Sequence, residues 1–206
     1  MAGGLTTALF WRRLDTAGAE QAVVMEGRGL RARGRQLAAT PLPYACRYEL
    51  VTDDDWVTTR CEVTVEGAGF TRSVRLERAA GRWRVTATEQ GSLDAALVGA
   101  GHARVDQPGC EEPGMLSEAR DVDLGGSPLF NTLPIRRLRL LAAPGSRHTV
   151  EVALVLVPSL EVVPATQTYR ARGEGVVEFA SGSFHAELTV DERGYVRHYP
   201  GLASIP

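Results

Sequence analysis

The sequence contains no lysine: all 23 of its basic residues are arginine. Asparagine occurs once, at Asn131, and isoleucine twice, at Ile135 and Ile205. Lysine, asparagine and isoleucine share AT-rich codons, so their scarcity reads as the codon bias of a GC-rich genome rather than as surface chemistry. Where such residues survive they carry information, and Asn131 and Ile135 lie within one short segment. Long apolar runs are also missing. The longest, Val152 to Pro158, is far too short to cross a bilayer. The N-terminus reaches Arg12-Arg13 without the apolar run of about 7–15 residues that marks a secretory leader, so a cytoplasmic, soluble protein is expected. Only three cysteines occur, Cys46, Cys61 and Cys110. No CxxC or Cys/His cluster is present to hold zinc, and two of the three fall on expected strands as buried thiols. The formal net charge of −2 leaves no global attraction to a phosphate backbone, so no nucleic-acid partner is expected. No metal or cofactor is expected either.

What the chain does have is alternation with a period of two residues. Cys61, Val63 and Val65 alternate with Arg60, Glu62 and Thr64. Trp83, Val85 and Ala87 alternate with Arg84 and Thr86, and Phe184, Ala186, Leu188 and Val190 with His185, Glu187 and Thr189. Each run predicts a strand with one face in a core and the other in water. Further strands are expected at Thr7–Arg12, Ala19–Glu26, Leu30–Ala38, Tyr44–Val51, Thr71–Glu77, Ile135–Leu141, Thr149–Val157, Thr166–Arg172, Gly175–Ala180 and Tyr195–Tyr199. Val152–Val157 is apolar on both faces and is expected to be central and covered twice. Turn residues separate the runs, as in Asp53-Asp54-Asp55, Ala80-Gly81, Pro144-Gly145 and Glu192-Arg193-Gly194, which favours a meandering antiparallel sheet over βαβ units. Residues 91–119 break the rhythm and read as a long, mobile loop, with one or two helical turns through Leu93, Ala96 and Leu97 after Ser92. Ser127-Pro128 reads as the cap and first residue of a helical turn reaching Thr132. At this length the chain, residues 1–206, fits a single domain.

The segment Asp121-Val122-Asp123-Leu124, followed after Pro128 by Asn131-Thr132-Leu133-Pro134-Ile135-Arg136-Arg137-Leu138, resembles the signature of the putative glycolipid-binding family. Agreement extends along nearly the whole chain: Trp11-Arg12-Arg13-Leu14 with Glu20, Trp56 with Thr58 and Arg60, Trp83, Pro164 with Gln167 and Tyr169, and Asp191-Glu192-Arg193-Gly194 with Tyr199-Pro200. The resemblance implies a mainly β protein, a single antiparallel sheet in a spiral β-roll wrapped around a short helix, similar in fold to bacterial envelope lipid carriers. It also implies non-enzymatic binding of a lipid or glycolipid in an apolar cleft of the curved sheet. The candidate ligand-contacting residues are Asp121, Asp123, Asn131, Arg136, Arg137, Trp56, Arg60, Gln167 and Tyr169.

Each candidate has a plainer reading. Asp121 and Asp123 would share a strand face and one arginine could pair with them, either gripping a headgroup or bracing the signature segment. Asn131 could cap a turn as readily as it could hold a ligand. Tryptophans suit a cleft mouth, but most belong to a core. Arg31, Arg33 and Arg35 share one face, which could meet an anionic headgroup or be balanced by Glu26 and Glu49. Two alternative functions remain open: a hydrolase acting on a sugar or lipid ester through Asp121 and Asp123, and a protein-interaction scaffold with a broad apolar patch. The four histidines lie in no GxSxG or HExxH setting, and the glycine pairs at Gly27/Gly29 and Gly173/Gly175 read as turns rather than phosphate loops.

Overall fold

A computed structural model describes residues 5–206; the first four residues, read above as the start of a leaderless N-terminus, lie outside them. The first half of the chain is a meander of seven strands: β1 (Leu5–Arg13), β2 (Gly18–Glu26), β3 (Leu30–Ala38), β4 (Tyr44–Thr52), β5 (Thr58–Gly67), β6 (Phe70–Ala79) and β7 (Arg82–Gly91). Alternation of buried and exposed positions is strict in β3 and broken at the start of β5 and along β7. In β3, Leu30, Ala32, Gly34, Gln36 and Ala38 are buried while the arginines between them are exposed. Gly34 is required by the neighbouring strand: a Cβ there would come within 2.3 Å of the Tyr48 ring.

The second half begins with a short helix α1 (Leu93–Gly99) and a 3-10 turn over Pro113–Leu116, then β8 (Asp121–Leu124), helix α2 (Pro128–Arg137) and a second 3-10 turn over Leu140–Ala142. Five strands complete it before the last short one: β9 (Arg147–Val155), β10 (Val162–Gly173), β11 (Val176–Ser181), β12 (Phe184–Val190) and β13 (Val196–Tyr199), then β14 (Ala203–Ser204). All fourteen strands form one open sheet in the order β7-β6-β5-β4-β3-β2-β1-β14-β13-β12-β11-β10-β9-β8. Every neighbouring pair is antiparallel except β8 and β9. The fold is therefore the mainly β roll that the sequence implies.

The sheet spirals because its last strand turns inward. The edge strand β8 does not meet the other edge, β7; instead the Thr58 N–H donates to the Arg120 carbonyl (3.0 Å) and the Val122 N–H to Thr58 Oγ1 (3.3 Å), which sets β8 inside β5. Trp83 Nε1 donates to the Ala119 carbonyl (2.9 Å). One face of β8 and β9, carrying Val122, Leu124, Ala153 and Val155, belongs to the large core of β1–β7. The opposite face looks toward a second core built from β10–β13 with Ile135 and Leu140. So the run beginning at Val152 is covered on both sides as expected, although β9 lies next to the end of the strand order rather than in its middle.

Helix α2 fills the space between the two cores. Leu129, Phe130 and Leu133 join the first and Ile135 the second. The strand expected at Ile135–Leu141 is instead the last turn of α2 followed by the 3-10 turn. Pro134 lies inside the helix and removes one backbone hydrogen bond from it. The helix also runs past Thr132, and Ser127 places its hydroxyl on Glu20 rather than on the helix backbone.

The segment 91–119 forms no regular strand, as expected, but it is fastened rather than loose. Ser92 caps α1 by accepting from the Ala95 N–H. Gly109 exchanges backbone hydrogen bonds with Leu160 and Val162 (2.8 and 2.7 Å). Arg72, fully buried on β6, pairs with Glu89 and donates to the carbonyls of Asp106 and Ser159. Phe130 meets Tyr48 edge-on with ring centroids 5.2 Å apart. Replacing Phe130 with alanine is expected to lower stability by about 3–5 kcal/mol; urea titration measures it, and a loss below about 1 kcal/mol would mean the two cores close without the helix.

Candidate functional site

Strand β8 holds Asp121 and Asp123 on one face, opposite Val152 and Leu154 of β9. That is the face that looks toward α2 and β10. Asp121 is 1% exposed and accepts a fork from Arg137, through Nε to Oδ1 (3.2 Å) and Nη2 to Oδ2. Burial pushes the Asp121 carboxyl above its usual range despite that fork. Beside it runs a chain of side-chain hydrogen bonds. Asn131 Nδ2 donates to the Tyr169 hydroxyl (2.9 Å), the hydroxyl donates to Gln167 Oε1 (2.9 Å), and Gln167 Nε2 donates to Asp123 Oδ2 (2.6 Å). Loss of water around Asp123 raises its pKa to about 6, against the hydrogen bond from Gln167.

Six of the nine sequence-derived candidates thus meet in one place: Asp121, Asp123, Asn131, Arg137, Gln167 and Tyr169. Asn131 sits inside α2 and caps nothing. Arg136 leaves in another direction. Its guanidinium lies over the Trp56 ring (4.3 Å to the centroid), pairs with Glu26 (3.4 Å) and donates to the Arg193 carbonyl (2.7 Å). Trp56 is buried, so it underlies Arg136 rather than standing free at an edge. Arg60 joins neither group; it lies on the outer face of β5 near Glu49 (4.0 Å) and Glu62 (3.7 Å).

Two clusters escaped the sequence reading. Glu26 gathers Arg136, Arg193 and the Tyr195 hydroxyl (2.6 Å). Glu20, fully buried, accepts from the hydroxyls of Tyr48 (2.5 Å) and Ser127 (2.6 Å) through Oε1. Its Oε2, Gln36 Oε1 and Arg13 Nη1 have no partner. Gly126 completes this corner, since a Cβ on it would lie 2.7 Å from Arg13 Nη1, at a φ of +76°. The signal was available in strand parity: Glu20 and Glu26 share the inward face of β2 with Ala22 and Val24. Burial raises the Glu20 pKa to about 7.

A groove of about 620 Å³ opens where the 3-10 turn after α2 meets the β10–β11 and β12–β13 turns. Its floor is apolar, with Leu140, Ala171 and Val190, and its rim carries Glu174, Asp191, Glu192 and Arg193. Arg193 therefore links the groove to the Glu26, Arg136 and Trp56 cluster. Neither Asp121 nor Asp123 lines any of the five main grooves among the described residues. No group of three or more His, Cys, Asp or Glu suited to a metal ion occurs among the described residues. No helix of the described residues is long and apolar enough to cross a membrane.

The family model described as "Putative glycolipid-binding" matches residues 8–204. The chain belongs to that family. The fold is similar to the crystal structure of a DUF1089 family protein from Pseudomonas aeruginosa, with a TM-score of 0.70 and 26% identity over 91% of this chain and 92% of that one. No curated protein matches the chain.

Two measurements follow from the buried acids. Between pH 4.5 and about 7 the folded chain keeps a proton on Glu20 that the unfolded chain has released. Stability therefore falls as pH rises through this window, by about 3 kcal/mol, and then levels off. Asp123 adds a fall of the same sign between 3.8 and about 6. In urea titrations across this range Glu20→Gln is expected to flatten the slope above pH 6; an unchanged slope would show that Glu20 is not its source. Arg137→Met strands Asp121 without a partner and is expected to cost about 3–5 kcal/mol by the same assay.

Proposed function

We propose that this member of the glycolipid-binding family holds a lipid or glycolipid in the groove between the 3-10 turn at Leu140–Ala142 and the β10–β11 and β12–β13 turns. The observation that carries the reading is the pairing of an apolar floor with a charged rim on which Arg193 stands beside Glu174, Asp191 and Glu192. Leu140, Ala171, Val176 and Val190 would take acyl chain, with a gain of about 0.8 kcal/mol for each methylene removed from water. Arg193 and Arg136, steadied by Glu26 and Trp56, would orient the polar head; a planar guanidinium suits a phosphate or the hydroxyls of a sugar. A groove of this volume lies in the range usual for small-molecule sites, roughly 300–1,000 Å³.

In this reading Asp121, Asp123, Asn131, Arg137, Gln167 and Tyr169 act behind the groove. They fix the end of α2, from which Arg136 projects and after which Leu140 follows. A hydrolytic pair at Asp121 and Asp123 has less support, because each carboxylate is already committed to a side chain of the protein.

Native mass spectrometry with a monoacyl glycolipid and with palmitate tests the proposal. A one-to-one adduct is expected with the wild type. Val176→Arg, at a half-buried lining position, is expected to weaken it at least about tenfold with little change in melting temperature. Absence of any adduct, or an adduct indifferent to Val176→Arg, would overturn the assignment of this groove.

A further inference from the structure

The outer face of β1–β4 carries an arrangement that the groove does not use. Strand register sets Phe10, Gln21, Arg35 and Arg47 in one row across four strands, and Arg12, Ala19 and Leu37 in the next. Arg35 and Arg47 are thus direct cross-strand neighbours of like charge, a pairing that destabilises a sheet when nothing lies between. The acids expected to balance this face form no ion pair with its arginines, although Glu66 lines the same groove as Arg35 and Arg47. Glu26 points inward to Arg136 and Arg193. Glu49, opposite Arg33, lies within ion-pair distance of Arg60. Arg12, Arg33, Arg35 and Arg47 are all exposed, and none forms an ion pair among the described residues. Flanking them are two of the larger exposed apolar side chains, Phe10 (48% exposed) and Leu37 (57%).

We infer that this face docks on an anionic lipid bilayer. The protein has a net charge of −2, so four unpaired arginines on one sheet face mark a local separation of charge rather than a general excess. Their complement is a surface of closely spaced phosphates, which would relieve the Arg35–Arg47 repulsion by placing an anion between them. Phe10 and Leu37 decide between bilayer and nucleic acid. A duplex backbone offers no apolar depth to an exposed leucine, whereas the headgroup boundary accepts aromatic and aliphatic side chains beside cations. The inference stands on the outer face alone and does not depend on the groove being a lipid site.

Co-sedimentation with vesicles tests it. Binding is expected to phosphatidylglycerol/phosphatidylcholine vesicles and to be weakened by salt, with none to pure phosphatidylcholine. Each arginine near an anionic surface contributes roughly fivefold to partitioning. The double variant Arg35→Gln/Arg47→Gln should therefore lose at least about tenfold, and Leu37→Ser should weaken binding without changing its salt dependence. The double variant should still form the one-to-one palmitate adduct, since neither arginine lines the groove, which separates failure of one idea from failure of the other. Equal binding to neutral vesicles, or a double variant that binds as well as the wild type, would overturn the inference. So would retention of a short DNA duplex by a protein that leaves anionic vesicles in solution.

Discussion

The rest of the molecule depends on one placement: the edge strand of the sheet, β8, is buried inside the roll instead of being left at its rim. A strand covered on both faces cannot leave polar side chains to water, so Asp121 and Asp123 must find partners within the protein. Arg137 answers the first and Gln167 the second. Those partners in turn tie α2 and β10 to β8, and α2 is what keeps the two apolar cores apart. A sheet of this extent would otherwise have to close into a barrel or leave a hydrophobic face exposed. The inward turn of one end, a strand of four residues, and the ten-residue helix beside it solve both problems together.

Strand parity made most of this legible in the sequence. Alternation located the strands of both halves, because each has one dry face and one wet face. The apolar run at Val152 correctly signalled cover on two sides. The helix was misread beyond Thr132 for a physical reason. Residues 128–135 are all buried, so α2 shows no apolar stripe of helical period, and Pro134 followed by alternating leucines imitates the start of a strand. The signature segment supplies four of the six candidates that meet, Asp121, Asp123, Asn131 and Arg137, and β10 supplies Gln167 and Tyr169, because buried polar groups must find partners within the protein. Arg60 was drawn in by its neighbour Trp56, yet the two point to opposite faces. Glu26 was assigned to the wet face and Glu20 was given no site role, when both sit on the dry face of β2.

Charge and greasy surface are distributed unevenly over the roll. Inside, each acid that matters has a named partner, apart from the three unpartnered atoms around Glu20, Gln36 and Arg13. Outside, Arg12, Arg33, Arg35 and Arg47 on β1, β3 and β4 form no ion pair among the described residues, although Glu49 faces Arg33. The groove lies at the turns of the second half, while the arginine face belongs to the first. Each half of the roll thus carries its own surface chemistry, and the family match over residues 8–204 spans both.

The two halves are joined in the sheet only where β1 meets β14, in a register of two residue pairs, Arg12 with Ser204 and Arg13 with Ala203. Trp11 adds one bond from its indole to the Val196 carbonyl (2.7 Å). The first and last of the fourteen described strands are therefore immediate neighbours. During translation the first seven strands can zip up locally as they emerge, but the seam cannot form until β14 has cleared the ribosome. Until then β1 presents a bare edge to every other nascent copy, and the interval between its synthesis and its coverage is when the chain is most open to mispairing.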